Sequence, residues 1–225
     1  MQRFFDIILS LIALIFLAPL FIPIIFLLRF TGEGEIFFQQ VRIGKNGNSF
    51  RLMKFATMLK NSPNIGTGTV TLKDDPRVLP VGRFLRSTKI NELPQLFNIL
   101  NGDMSIIGPR PQTERCFKAF SAQSQKEIIK VRPGLSGVGS IIFRAEEKMM
   151  NDSKDPDAFY DQVLMPYKGL LEEWYVRNQS ILLYWKCILL TLWVVLRPAS
   201  GIAWSAFNEL PEPSRDLKNH LHFPE

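Results

Sequence analysis

The longest apolar stretch of the chain runs from Ile7 to Leu28, 22 residues without a charge: IILSLIALIFLAPLFIPIIFLL. As one helix it would extend roughly 33 Å, about the thickness of a bilayer's hydrocarbon core. Pro19 and Pro23 stand inside it. Each removes a backbone donor and crowds the preceding turn, so the pattern predicts a helix–break–helix bent near Ala18-Pro19. Arg3 and Arg29 flank the two ends. Cationic flanks prefer the cytoplasmic side, and a re-entrant hairpin that enters and leaves by one face suits both. A kinked spanning helix and a buried helix pair are the alternatives. The run is long and no small-residue cleavage site follows, which argues against a simple signal peptide.

Beyond the hairpin the pattern changes to short alternations. Residues 32–58 predict two strands around a turn at Lys45-Asn46-Gly47. Residues 61–72 form a polar, Gly- and Thr-rich loop expected to be mobile. A basic helix follows over residues 81–100, with Pro94 bending it, then a Gly/Pro-rich loop through Pro111 and a helix over 113–130. Residues 181–196, ILLYWKCILLTLWVVL, are apolar apart from Lys186. Sixteen residues with a cation inside and three aromatics suit a helix lying on a membrane better than one crossing it. The expected organisation is a membrane hairpin at 1–30, a cytoplasmic domain at 31–179, a membrane-interface helix at 180–201 and a flexible tail at 202–225. The fold class is α+β, mainly helical, in a monotopic membrane protein.

Charge narrows the partners. Lys and Arg total 27 against 21 Asp and Glu, a formal charge of +6 with a pI near 9.4. That excess favours phosphate groups, nucleic acid or an anionic membrane surface. The phenylalanines sit in apolar stretches rather than among exposed basic residues, so no nucleic-acid partner is expected. The two histidines are His220 and His222, which leaves the body of the chain without an imidazole for Ser-His or Cys-His catalysis. Cys116 and Cys187 stand alone, so no disulfide framework or Cys-cluster metal site is on offer. Chemistry must come from carboxylates, basic groups, amides and a borrowed cation. There is no Gly-Lys-Ser/Thr loop, and Gly134, Gly137 and Gly139 do not follow the dinucleotide spacing.

Three polar stretches concentrate the candidates: Arg42–Lys54, Arg83–Glu92 and Asp103–Arg110. Taken singly, each is most simply a solvated face or a turn. Together they form a set of rigid loops presenting guanidinium forks, which match phosphate oxygens bidentately. The same blocks carry a family resemblance: R-x-G-x-x-G-x-x-F-x-x-x-K-F-x-T-M from Arg42 to Met58, G-R-F-L-R-x-T-x-x-x-E-L-P-Q-L-x-N from Gly82 to Asn98, and G-D-M-S-I-I-G-P-R-P from Gly102 to Pro111. In order and spacing the chain, over residues 1–200, resembles the bacterial sugar transferases, the small monotopic phosphoglycosyl transferases.

The resemblance implies a re-entrant N-terminal helix broken at a proline and helices on the inner leaflet of the bacterial inner membrane, with the catalytic domain on its cytoplasmic face. It implies transfer of a sugar-1-phosphate from a UDP-sugar to undecaprenyl phosphate, with Mg²⁺, at the start of surface polysaccharide or glycoconjugate assembly. In the family an Asp-Glu pair before L-P-Q-L supplies the nucleophile and the metal ligand. Here the pair is Asn91-Glu92, and Ala56 stands where the family usually has Arg. Glu92 is then the metal ligand, and Arg42, Lys54, Arg86, Arg110, Arg132 and Arg144 are the candidate phosphate-binding cations. For Asn91 three readings stay open: another carboxylate replaces the nucleophile (Asp103, Glu146 or Glu147), transfer runs in one step, or the chain is an inactive scaffold. Asn91 as a helix-start cap is the structural alternative. Whether the chain forms a homodimer, and which sugar it takes, the sequence leaves open.

Overall fold

Gln2–Phe30 forms one α-helix, α1, that runs through Pro19 and Pro23 without a non-helical residue. The predicted break into two helices is absent. The two prolines deprive the carbonyls of Ile15 and Pro19 of their helical partners, and the four-residue spacing puts both gaps on one stripe. The rest of the ladder survives, so the helix continues past them. The computed structural model describes residues 1–65, 75–144, 149, 155–197, 202–207, 209–218, 220, 221 and 223; part of the polar loop at 61–72 lies outside these.

Helix α1 is fastened to one body along its length. Arg3 donates to the carbonyls of Ile99 (2.5 Å) and Leu100 (3.0 Å). The Asp6 carboxyl accepts from Ser105 Oγ, Ile106 N and Tyr184 OH, each at 3.0 Å. Farther along, Phe21, Ile24 and Leu28 bury against Phe55 and Leu85. Its opposite side, including Phe4, Ile15, Phe16, Ile22, Phe26 and Phe30, is exposed.

Strands β1 (Phe37–Ile43) and β2 (Ser49–Phe55) pair antiparallel, from Phe37 opposite Phe55 to Ile43 opposite Ser49. The turn uses Asn46 and Gly47, both at positive φ, as the sequence predicts. The helix expected over 81–100 comes in pieces. Helix α2 (Pro80–Ser87) opens with proline in its first turn and is closed by Thr88, whose hydroxyl donates to the carbonyls of Phe84 and Leu85. A single 3₁₀ turn, Ile90–Glu92, follows, and α3 (Gln95–Asn101) begins after Pro94. β3 (Ser105–Ile107) comes next. The helix expected over 113–130 is two, α4 (Glu114–Lys118) and α5 (Ala122–Ile128). Thr113 and Ser121 each accept an N–H three residues on and so start a helix apiece.

β4 (Gly134–Ser136) lies parallel to β3, and α6 (Val138–Ile142) follows it. The remaining elements are α7 (Pro156–Phe159), a π turn at Tyr160–Leu164, α8 (Met165–Arg177), α9 (Ile181–Leu196), α10 (Ile202–Ala206) and α11 (Arg215–Lys218). One core joins β3, α4 to α9 and the C-terminal residues, with Leu171, Tyr175, Tyr184 and Cys187 at its centre. The tail is not loose where it is described: Phe207, Leu217 and Leu221 are buried in that core, and Tyr167 OH donates to the Pro211 carbonyl at 2.7 Å. Its prolines suggested looseness, but they also limit the freedom an unfolded tail would gain. On α9, Leu183, Tyr184, Cys187, Leu190 and Val194 face the core, while Leu182, Leu189, Leu192 and Leu196 are exposed.

Candidate active site

The three motif blocks meet around one carboxylate. Glu92, in the 3₁₀ turn, receives Arg110 at 2.7 Å (Nη2 to Oε1) and 3.4 Å (Nη1 to Oε2), and Lys54 Nζ at 3.3 Å. Lys54 lies near the end of β2. The residue before the turn, Lys89, sits in the left-handed region at φ 62°, a strained conformation for lysine of the kind that gathers at functional sites.

Arg110 reaches Glu92 from the loop after β3, and that loop is bracketed on two sides. Gly108 N donates to Ser136 O at 2.9 Å, and Gly134 N donates to Pro109 O at 2.8 Å. A Cβ on Gly134 would stand 2.1 Å from Gly108 N, and one on Gly137 2.2 Å from Gly108 O. These glycines therefore serve backbone-to-backbone packing beneath Arg110. From the other side, Arg42 Nη1 donates to Pro111 O at 3.1 Å and Ile43 N to Gln112 O at 2.9 Å.

Positive charge exceeds negative here. Burial pushes Lys54 down to about 7, although Glu92 pulls the other way, and burial with the neighbouring Arg110 brings Arg42 down to about 10. Arg86 and Arg110 add to the repulsion on Lys54. Burial also lowers Arg144, which feels both Glu92 and Arg110. Burial alone would raise Glu92, yet Arg110 and Lys54 outweigh it and hold the carboxyl well below the usual range. One carboxylate among buried and half-buried cations leaves positive charge that a multiply charged anion would balance. Two buried polar atoms beside Glu92 have no hydrogen-bond partner among the described residues, Asn91 Oδ1 and Arg42 Nε. Unsatisfied buried atoms are costly, and two in one place suit groups that a ligand completes.

Of the sequence candidates, the fold gathers Arg42, Lys54, Arg86, Glu92, Arg110 and Arg144 into this neighbourhood. Asn91 is 4% exposed and lies within the turn; its side chain caps no helix. Asp103 is elsewhere, accepting from Asn98 Nδ2 at 3.2 Å, while Asn98 also stitches α3 to β2 through Met53 N and the Arg51 carbonyl. Arg132 donates to the Gly102 carbonyl at 2.7 Å, holding the end of α3. No hydrogen bond or ion pair joins Asp103 or Arg132 to Glu92 among the described residues. Glu146 and Glu147 lie outside the described residues. The sequence reading missed Glu172, which sits in α8 between Leu171 and Glu173 with nothing local to separate it from a surface charge.

A family model described as bacterial sugar transferase matches residues 1–198. The chain belongs to the bacterial sugar transferase family. Exopolysaccharide production protein ExoY of Sinorhizobium fredii is 38% identical over 154 residues, 62% of this chain and 68% of that protein. The UDP-glucose:undecaprenyl-phosphate glucose-1-phosphate transferase of Klebsiella pneumoniae is 34% identical over 195 residues, 85% of this chain and 39% of that longer protein. The galactosyl transferase CpsE of Streptococcus agalactiae is 35% identical over 205 residues, covering 87% and 42%. The Glu92 cluster and the loops that hold it all fall inside the stretch that this sugar transferase shares with its family.

Proposed function

We infer that this protein transfers a sugar-1-phosphate from a UDP-sugar to undecaprenyl phosphate, in the production of exopolysaccharide or another surface glycan. The observation that carries the reading is the Glu92 cluster: one buried carboxylate inside an excess of buried and half-buried cations, in a chain whose relatives include a protein named for this transfer. Phosphoryl transfer asks the protein mainly for positioning and charge neutralisation. Arg110, Lys54 and Arg42 take up diphosphate oxygens, and anion binding restores the charge that Lys54 has difficulty keeping at neutral pH.

Glu92 and, next to it in sequence, Asn91 with its unpartnered Oδ1 carry hard oxygen donors of the kind that would hold Mg²⁺ together with substrate phosphates. When bound there, Mg²⁺ supplies charge neutralisation on the diphosphate. An amide at 91 is no nucleophile. Glu92 is engaged by two cations and Asp103 by Asn98, which favours a direct displacement over attack by either; Glu146 and Glu147 lie outside the described residues. A phosphate oxygen of the lipid forms a bond to the phosphorus that carries the sugar. The bond from that phosphorus to the bridging oxygen breaks, and UMP leaves with the electron pair.

The purified protein in nanodiscs, given undecaprenyl phosphate and a panel of UDP-sugars, should release UMP from one of them, and intact-protein mass spectrometry without lipid should find no adduct. No UMP from any donor would leave the scaffold reading, which the amide at 91 favours. An adduct would refute direct displacement, and its mapped position would name the nucleophile.

The same reading places the protein in the inner membrane as a monotopic enzyme with its active site on the cytoplasmic face. Two apolar faces, on α1 and α9, are uncovered, and such patches seek lipid or a partner. Both ends of α1 are tied to a single body, which favours a helix lying along one face of the membrane with both ends on that side. Cysteines at Gln2 and Thr31 should share one accessibility to an impermeant thiol reagent, with the buried Cys116 and Cys187 silent. Labelling of one from the periplasm and the other only after lysis would refute this topology.

A further inference from the structure

Glu172 is a buried carboxyl on α8, 1% exposed, with Leu171 and Tyr175 equally buried beside it and the buried Lys168 one turn earlier. An apolar residue would fill the same space without the penalty of burying a carboxyl. Its contacts suggest why it is there. Oε1 accepts the backbone N–H of Arg110 at 3.2 Å and lies against Gly139, where a Cβ would come within 2.5 Å of it. Pro109 and Pro111 have no N–H, so Arg110 carries the one amide donor in the Pro-Arg-Pro segment. Arg110 is thus held from both ends by acids, its backbone by Glu172 and its guanidinium by Glu92.

We propose that Glu172 is a positioning residue of the transfer site, fixing the backbone of Arg110 and through it the direction of the guanidinium that meets the donor's phosphates. The proposal rests on the reading of the Glu92 cluster as the transfer site. Gly139 belongs to the device, because only a residue without a side chain leaves the carboxyl room beside α6. The groups facing Glu172 are Lys168 and Tyr175 from α8, Arg110 from the loop and Cys187 from α9. Burial pushes Glu172 up to about 7, against the pull of the Arg110 N–H, Lys168 and the Arg110 charge. The ionised form accepts the N–H more strongly than the neutral acid. The hold on Arg110 therefore strengthens as pH rises through about 7, and turnover should show an acid limb there.

Three variants test this, with UMP release as the readout. Glu172→Leu removes the acceptor and should lower kcat/KM by about tenfold to a hundredfold. Gly139→Ala leaves every titratable group in place but pushes the flexible carboxyl off the N–H, and should lower kcat/KM in the same range. Glu172→Gln keeps an acceptor oxygen, should stay within about fivefold of wild type, and should lose the acid limb near pH 7. Gly139→Ala or Glu172→Leu folding normally with wild-type kcat/KM would overturn the proposal. So would a Gln variant that falls as far as Leu or keeps the acid limb. If the wild type releases no UMP, the functional reading falls, and titration calorimetry with UDP then reads the same variants. Tenfold weaker UDP binding in Gly139→Ala would sustain the positioning role, and unchanged binding would refute it.

Discussion

Replacing Glu92 by Gln removes the negative charge around which the site is assembled. At 2.7 Å from Arg110 and 3.3 Å from Lys54, the attractions are each about 5–6 kcal/mol at an effective dielectric of about 20, before the opposing cost of desolvation. Removing one partner of a buried pair typically destabilises by about 3–5 kcal/mol, because the other charge is left stranded. Two features here reduce that figure. Lys54, already down at about 7, can shed its proton, and the Arg110 side chain is 29% exposed and can turn toward water. We expect a loss of about 2 kcal/mol, which for a chain of this size lowers the apparent Tm by about 5 °C. The pH dependence follows from the depressed pKa of Glu92. Its stabilisation is fully present above the ordinary carboxyl value of 4.5 and is lost progressively as pH falls toward the depressed folded value, so the gap between wild type and variant should narrow below pH 4.5. Turnover should fall by about a hundredfold to a thousandfold, as when a preorganised charge contact to a transition state is removed. Differential scanning fluorimetry in nanodiscs from pH 3 to 7 and UMP release measure the two effects. A Gln variant with wild-type turnover and intact Mg²⁺ dependence, or a Tm gap that does not narrow between pH 7 and pH 3, would refute the reasoning.

Three further changes probe the neighbouring elements. Asn91→Asp puts a carboxylate of nearly the same size where the amide now has an unpartnered oxygen; a phosphosugar adduct should then appear by intact mass with donor alone, and its absence would show that this position does not face the phosphorus. Gly134→Ala drives a Cβ to 2.1 Å from the Gly108 nitrogen, a backbone clash expected to destabilise by about 3 kcal/mol or more and to scatter Arg110; a wild-type melting curve would contradict it. Asp6→Ala strands three buried donors at Ser105, Ile106 and Tyr184, a loss of about 3 kcal/mol that should expose the start of α1 to protease, whereas Asp6→Asn should protect it because one acceptor oxygen remains.

Local chemistry in the sequence determined a good part of this protein. The 7–28 run and residues 181–196 are apolar at lengths that leave no reading but helix, and Asn46-Gly47 supplies the two positive-φ positions that close the β1–β2 hairpin. The spaced motif blocks were enough to indicate the family and the Asn91-Glu92 departure, because phosphate-handling loops need particular residues at particular intervals. What only the tertiary structure decided depends on contacts far apart in the chain. Arg132 and Asp103 carry the same charges as the site residues, yet the packing of α3 against β2 turns one to the Gly102 carbonyl and the other to Asn98. Glu172 lies 62 residues from the N–H it accepts, and nothing in its neighbours distinguishes it from Glu173. Ala203, Phe207, Leu217 and Leu221 acquire a core only because α8 and α9 present one. Side-chain chemistry is local and can be read along the chain; which charge meets which partner is set when the helices close around them.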